Sequence, residues 1–161
     1  MSLAGVSATS VGALGRAKKA TKWTTVVVAK ATPPPDSGRF FRSVGDHVDS
    51  ADKKANFTTM IAELCDAIEV DDYQGALKEA GVVSVKIAHS FEYAKQKHHV
   101  WELKYGKKDR IYFYPFPQRR LIFLLMAYHK KDQQTPKNEV CNPCESDIKL
   151  ILDPRGNIEF C

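Results

Sequence analysis

Three strand patterns joined by short turns occupy residues 99–131, which read HVWELKYGKKDRIYFYPFPQRRLIFLLMAYHKK. Apolar and polar side chains alternate over 99–105 and again over 110–114, which is the period of a strand with one covered face. Residues 121–127 are apolar throughout, as in a central strand that is covered on both faces. Glycine or proline stands in each connection. We therefore predict an antiparallel meander of three strands.

The sequence before and after the meander predicts a first strand, a possible strand over 82–88 and several helices. Residues 23–29 are β-branched and aromatic, which favours a strand. Ser50 suits a helix N-cap, and apolar residues then recur at helical spacing over 57–68, with shorter helical segments before and after. Thr135 and Pro136 are typical of a helix start. Together these patterns predict an α+β fold, a small, twisted, mostly antiparallel sheet with helices packed on one face.

Length and composition predict one domain with a basic arm. The chain has 161 residues, of which 43% are hydrophobic, enough for one core. Residues 1–21 are small, polar and basic, so we predict a flexible arm followed by a single domain over 22–161. The longest apolar run covers about a third of a membrane span, so no membrane partner is expected. Four cysteines are too few for a disulfide scaffold, and a cytoplasmic location is expected.

The positive charge is concentrated in the meander. The whole chain carries +5, whereas residues 95–131 hold ten Lys or Arg and two acidic residues, a balance of +8. Residues 43–94 hold four basic and ten acidic residues, a balance of −6. A dense basic block on strands suggests a surface that meets polyanions such as nucleic acid. The alternative interpretation is an ordinary solvated face of lysines and arginines.

Motifs of the common enzyme families are absent from the sequence. It contains no Walker A loop, GxGxxG fingerprint, HExxH or GxSxG motif. Cys141 and Cys144 have CxxC spacing, but the pair lies inside a helical pattern, and no second pair exists to complete a zinc site. We therefore expect neither a metal nor a cofactor.

A cationic and aromatic set of side chains shares neighbouring strands. Same-face residues on adjacent antiparallel strands lie about 4.5–5.5 Å apart, so they can form one concave surface. Such a surface suits a phosphate backbone with stacked bases. The alternative is a solvated outer sheet face. The set, on one face or just past the next strand, comprises Glu102, Lys104, Arg110, Tyr112, Tyr114, Lys130 and Lys131.

Four stretches in this region resemble a known family in order and spacing. They are VWELK at 100–104, DRIYFY at 109–114, YHKK at 128–131 and TPKNE at 135–139. They resemble the RelE/ParE toxin superfamily, most closely its phage-derived, Gp49-like (HigB-type) branch. The resemblance implies a RelE-like fold and a metal-independent, ribosome-dependent mRNA endoribonuclease, the toxin of a type II toxin–antitoxin pair. It also implies two partners, mRNA on the ribosome and a cognate antitoxin, a small helix-turn-helix protein.

The resemblance also implies roles for individual residues. Arg110 matches a strand arginine of the family, and Lys104 stands where the family has another arginine. We expect both to bind the scissile phosphate, while the family's lysine pair assists and Glu139 positions or pairs. The predicted catalytic set is Arg110, Lys104, Lys130, Lys131, His129 and Glu102, the last two as candidate base or acid. The predicted RNA-binding set is Tyr112, Tyr114, Lys107 and Lys108. The alternative is a RelE-like module that has lost catalysis and binds RNA or protein.

Overall fold

A mixed sheet forms the centre of the protein. The computed structural model describes residues 2–4, 21–28, 38–153 and 159–160. The strands are β1 (Ser2–Ala4), β2 (Thr24–Val28), β3 (Ser84–Tyr93), β4 (Gln96–Tyr105), β5 (Asp109–Phe116), β6 (Leu121–His129) and β7 (Glu159–Phe160). The helices are α1 (Arg39–His47), α2 (Ala51–Ala67), α3 (Tyr73–Ala80) and α4 (Asn142–Leu152). The predicted α+β class is confirmed.

The predicted meander is confirmed and lengthened by one strand. β3, β4, β5 and β6 are consecutive antiparallel neighbours, and the sheet order is β3-β4-β5-β6-β2-β1-β7. β2 pairs in parallel with β6, so the sheet is mixed. β6 lies in the middle and is buried along nearly its whole length, as its apolar sequence predicts.

Two cores lie on opposite faces of this sheet, because the central strands are apolar on both sides. Alternate residues of β5 divide between them: Ile111 and Phe113 pack with α1, α2 and α3, whereas Tyr112 and Tyr114 pack with α4. The prediction that all helices pack on one face is therefore wrong. A strand as apolar as β6 needs a cover on each face, and α4 supplies the second through Cys144 and other apolar residues.

Helix α1 covers one edge of β6 where no described strand pairs with it. β2 pairs with β6 only as far as Leu124. Beyond it, the backbone N–H of Ala127 donates to Ser43 Oγ at 2.9 Å, and that of His129 donates to His47 Nδ1 at 3.2 Å. Four residues of helix rise about 6 Å and two residues of strand about 6.6 Å. The spacing of Ser43 and His47 along α1 is therefore close to the spacing of the two β6 amides that they accept from.

Local signals in the sequence define several helix boundaries. The side chain of Ser50 accepts from the backbone N–H of Lys53, which caps α2 as predicted. Gly81 ends α3 with φ of 69°, a left-handed conformation that favours glycine. The predicted C-terminal helix begins as a π-helical turn at Lys137–Cys141 and continues as α4, with Pro143 in its first turn. Proline donates no backbone hydrogen bond, and the regular helical pattern is interrupted directly before Pro143 by the π turn, in which the N–H of Asn142 donates to the carbonyl of Lys137.

The predicted basic arm lies mostly outside the described residues. Its described beginning, Ser2–Ala4, forms β1 and pairs with β2 and β7. The described helices include none that is long and apolar enough to cross a membrane.

Candidate functional site

Two polar clusters meet at one end of the sheet, where β4 and β6 end and β5 begins. Asp109 pairs with His129, and Arg110 pairs with Tyr128. Because side chains alternate along a strand, Asp109 and Arg110 project to opposite faces. We call Glu102, Arg110 and Lys130 on the α4 face the ion cluster. We call Asn56, Asp109, His129 and His47, on the α2 side and the β6 edge, the histidine cluster.

The ion cluster holds one carboxylate among several cations. Arg110 Nε lies 3.2 Å from Glu102 Oε1, and Lys130 Nζ lies 3.3 Å from Glu102 Oε2. The exposed fractions of these side chains are 0% for Glu102, 5% for Arg110 and 4% for Lys130. Lys86 Nζ approaches Glu102 Oε1 to 3.7 Å from the solvent side. Removal of one partner from a buried ion pair strongly destabilises the folded protein, because the other charge stays buried without compensation.

The guanidinium of Arg110 is already occupied by the protein. It donates through Nη1 to the carbonyl of Asp109 at 2.9 Å and through Nη2 to the carbonyl of Lys107 at 3.0 Å. Its Nε and the two oxygens of Glu102 are close but not aligned as hydrogen bonds, so their attraction is ionic. Through these two hydrogen bonds, Arg110 stabilises the β4–β5 turn from its buried side.

The burial of these residues corrects several predicted roles. Glu102, Arg110 and Lys130 do share one face with Tyr112, as the strand periodicity predicts, but all four side chains are buried. Tyr112 and Tyr114 are buried beneath α4, so the prediction that their rings bind RNA bases at the surface is wrong. Burial and the nearby Glu102 carboxylate raise the pKa of Tyr112, which stays neutral.

The remaining predicted lysines stay accessible around this end of the sheet. Lys107 and Lys108 are exposed in the β4–β5 turn, Lys131 is exposed just past β6, and Lys104 is partly exposed opposite Arg110. The backbone N–H of Lys130 donates to the carbonyl of Lys108 at 2.8 Å, which keeps the two lysine segments adjacent. These side chains form a cationic rim that suits a polyanion.

The histidine cluster is built around the carboxylate of Asp109. His129 Nδ1 lies 2.7 Å from Asp109 Oδ1, and Asn56 Nδ2 donates to Asp109 Oδ2 at 2.6 Å. The side chain of His129 is 28% exposed, whereas that of Asp109 is 12% exposed. Of the predicted catalytic residues, His129 is thus separated from the ion cluster and faces a different set of partners.

His47 lies beside His129 and has a defined proton arrangement. Its Nδ1 accepts the backbone N–H of His129, so a neutral His47 carries its proton on Nε2. Burial lowers the pKa of His47, and the neighbouring His129 and Lys53 lower it further, against the opposing effects of Asp46 and Glu139. His47 is therefore a neutral donor near physiological pH. His129 Nδ1 faces the carboxylate of Asp109, and in the neutral tautomer that donates there Nε2 is the acceptor.

A small recess opens beside His47. Its lining includes His47, Lys53, Phe57, Asp109 and Tyr128, which combine titratable groups with an apolar floor. The ring of Tyr128 lies 4.3 Å from that of His47 between centroids.

The hydroxyl of Tyr128 donates to the carboxylate of Glu139. Burial and the bond to Glu139 raise the pKa of Tyr128 to about 12. Tyr128 therefore remains a neutral donor at physiological pH.

The two cysteines of the CxxC sequence are buried thiols at the junction of the π turn and α4. Burial raises the pKa of Cys141 and of Cys144, which disfavours the reactive thiolate. Within the described ranges, no group of three or more His, Cys, Asp or Glu side chains is placed to hold a metal ion.

Sequence reasoning missed most of the histidine cluster. Asn56 lies 53 positions from Asp109 in the chain, and His47 lies 82 positions from His129. The helical segments that carry Asn56 and His47 are predicted from apolar spacing, which gives no signal for either polar residue. Asp109 has the sequence context of a turn residue. Comparison of the chain with protein-family models, curated proteins and solved structures finds no match.

Proposed function

We propose that this protein binds RNA and cleaves it without a metal ion, through the histidine cluster. The observation that carries the proposal is the position of His47 next to His129: Asp109 holds the imidazole of His129, and the neutral imidazole of His47 accepts the backbone N–H of His129, beside a cationic rim. Such a pair provides a base and a hydrogen-bond donor, and the lysines provide attraction for phosphates. This proposal moves catalysis from the ion cluster to His129 and His47.

The chemistry is an internal phosphoryl transfer. His129 Nε2 accepts the proton of a ribose 2′-hydroxyl, and the 2′-oxygen forms a bond to the adjacent phosphorus. The bond from phosphorus to the 5′-oxygen breaks, and that oxygen takes a proton from solvent, to which His129 later returns its own. The products are a 2′,3′-cyclic phosphate and a 5′-hydroxyl. His47, whose Nδ1 accepts the backbone N–H of His129, and Lys53, which lines the same recess as His47, are the candidate groups to stabilise the added negative charge.

The resemblance to the RelE/ParE superfamily supports the biological setting that we propose. In that setting the substrate is mRNA on the ribosome, the protein is the toxin of a type II pair, and a small helix-turn-helix antitoxin neutralises it. A RelE-like arrangement is consistent with a β strand, helices, an antiparallel meander and a C-terminal helix in that order.

The test is induced expression of the wild type and of His129→Gln in growing bacterial cells, with mapping of mRNA 5′ ends. The wild type should stop growth and produce new 5′ ends, and His129→Gln should reduce cleavage by about 10²–10⁴-fold. Lys97→Met, an exposed lysine near the opposite end of β4, is the matched control and should behave as wild type. Undiminished arrest by a folded His129→Gln protein contradicts the proposal.

The burial of the ion cluster favours a second candidate function, an RNA- or protein-binding module without catalysis. Three of the residues expected to act on RNA are bonded to one another instead. Binding of the protein to translating ribosomes whose mRNA is recovered uncut, without growth arrest on induced expression, would select this candidate over the nuclease.

A further inference from the structure

The carboxylate of Asp109 is bound at both of its oxygens by different elements. Asn56 of α2 donates to Oδ2 at 2.6 Å, and His129 at the end of β6 contacts Oδ1 at 2.7 Å. An amide NH₂ group only donates, and an ionised carboxylate only accepts. The Asn56 contact therefore fixes the direction in which the Asp109 carboxylate faces His129.

We propose that Asn56 is a positioning residue that sets the tautomer of His129 through Asp109. With Oδ2 occupied by Asn56, Oδ1 is left to accept a proton from His129 Nδ1. A neutral His129 then holds its proton on Nδ1 and keeps the lone pair of Nε2 for a ligand or a substrate proton. The catalytic consequence rests on the proposed nuclease function, whereas the tautomer assignment does not.

Two features distinguish this role from simple attachment of α2 to the sheet. Asp109 is largely buried while His129 remains accessible, so the carboxylate is placed to orient the imidazole without contacting substrate itself. If Asn56 served only to attach α2 to the sheet, its substitution would not change which ring nitrogen of His129 carries the proton. The tautomer therefore reports the positioning role directly.

The experiment is ¹⁵N NMR of the full labelled chain at about pH 8, where free imidazole is neutral. In the wild type, the His129 ring should show Nδ1 protonated and Nε2 unprotonated. Asn56→Ala should give a mixture of both tautomers, because the carboxylate is no longer held. Thr59→Ala, one turn along α2 with its hydroxyl bonded to the carbonyl of Ala55, is the matched control and should leave the tautomer unchanged.

Kinetic measurements on the same variants connect the tautomer to the reaction. Asn56→Ala should lower kcat for RNA cleavage by about 10–100-fold, the usual scale for removal of a residue that orients another, with KM unchanged. Asn56→Ser replaces the long amide by a short polar group and should repeat both effects if the alanine variant folds poorly. An unchanged His129 tautomer in a folded Asn56 variant overturns the proposal. Absence of cleavage by the wild type refutes only the nuclease, since the tautomer is measured without RNA.

Discussion

The two polar clusters at the end of the sheet use similar residues for different purposes. In the ion cluster, all three side chains are almost fully buried, and the cations are engaged by Glu102 and by backbone carbonyls. In the histidine cluster, Asp109 is buried but its partner His129 is open to solvent. The difference teaches that charge and strand register alone do not identify a functional face. What covers that face decides whether its charges are available to a ligand.

Removal of one charge from the ion cluster should produce the largest effect on stability. Arg110→Met leaves Glu102 buried with less compensation, so we expect the free energy of unfolding to fall by about 3–5 kcal/mol in urea titration. Lys104→Met, on the same face but partly exposed, should change it by less than about 0.5 kcal/mol. If Arg110 contacts substrate, as the family resemblance implies, Arg110→Met would instead be fully stable and inactive.

The attachment of α1 to β6 should show an intermediate effect. Ser43→Ala leaves the buried N–H of Ala127 without its acceptor, so we expect a loss of about 1–3 kcal/mol in the free energy of unfolding. Amide hydrogen exchange at Ala127 should accelerate in the variant while exchange in β4 does not. Equal exchange rates in the two proteins would show that α1 does not protect this edge.

The pH dependence of the His47 contact should be the smallest effect. Burial lowers the folded-state pKa of His47 below the ordinary value of 6.5. Between these two values the unfolded chain binds more protons, so stability falls as the pH drops from 6.5 towards the folded pKa and levels off below it. His47→Asn keeps an acceptor for the His129 amide without titrating, and subtraction of its urea unfolding curve isolates this contribution.

The groups that face His47 define how that measurement is controlled. They are Asp46 on its own helix, Lys53 on α2, His129 on β6 and Glu139 on the π turn. All of them are retained in His47→Asn, so their own titrations cancel in the comparison. An identical pH dependence in the two proteins would contradict the assignment to His47.

Much of the sheet could be predicted from sequence because its signals are local. Alternation over 99–105 and 110–114 gave the faces of β4 and β5 correctly, and the apolar run of β6 indicated a strand covered twice. That same run implied a helix on the second face, which the one-face prediction overlooked. The start of α2 is defined by the hydroxyl of Ser50, which caps the helix, and the end of α3 by Gly81, which adopts a left-handed conformation.

The candidate site was less predictable because its decisive contacts are distant in sequence. Periodicity placed Glu102, Lys104, Arg110 and Tyr112 on one face, but gave no sign that Glu102, Arg110 and Tyr112 are buried while Lys104 stays partly exposed. His129 was singled out as a proton carrier, whereas its partners on α1 and α2 gave no local pattern. Tertiary packing, which decides accessibility, is the property that a one-dimensional pattern leaves undetermined.

The way α1 covers the edge of β6 bears on the risk of aggregation through that edge. Residues 125–129 form an apolar strand segment whose outward amides are satisfied by side chains from α1. An open strand edge of that composition is a template for intermolecular β-pairing and aggregation. If α1 detaches, the unpaired edge of β6 becomes accessible to strands of other molecules. This short helix therefore protects the sheet against intermolecular β-pairing.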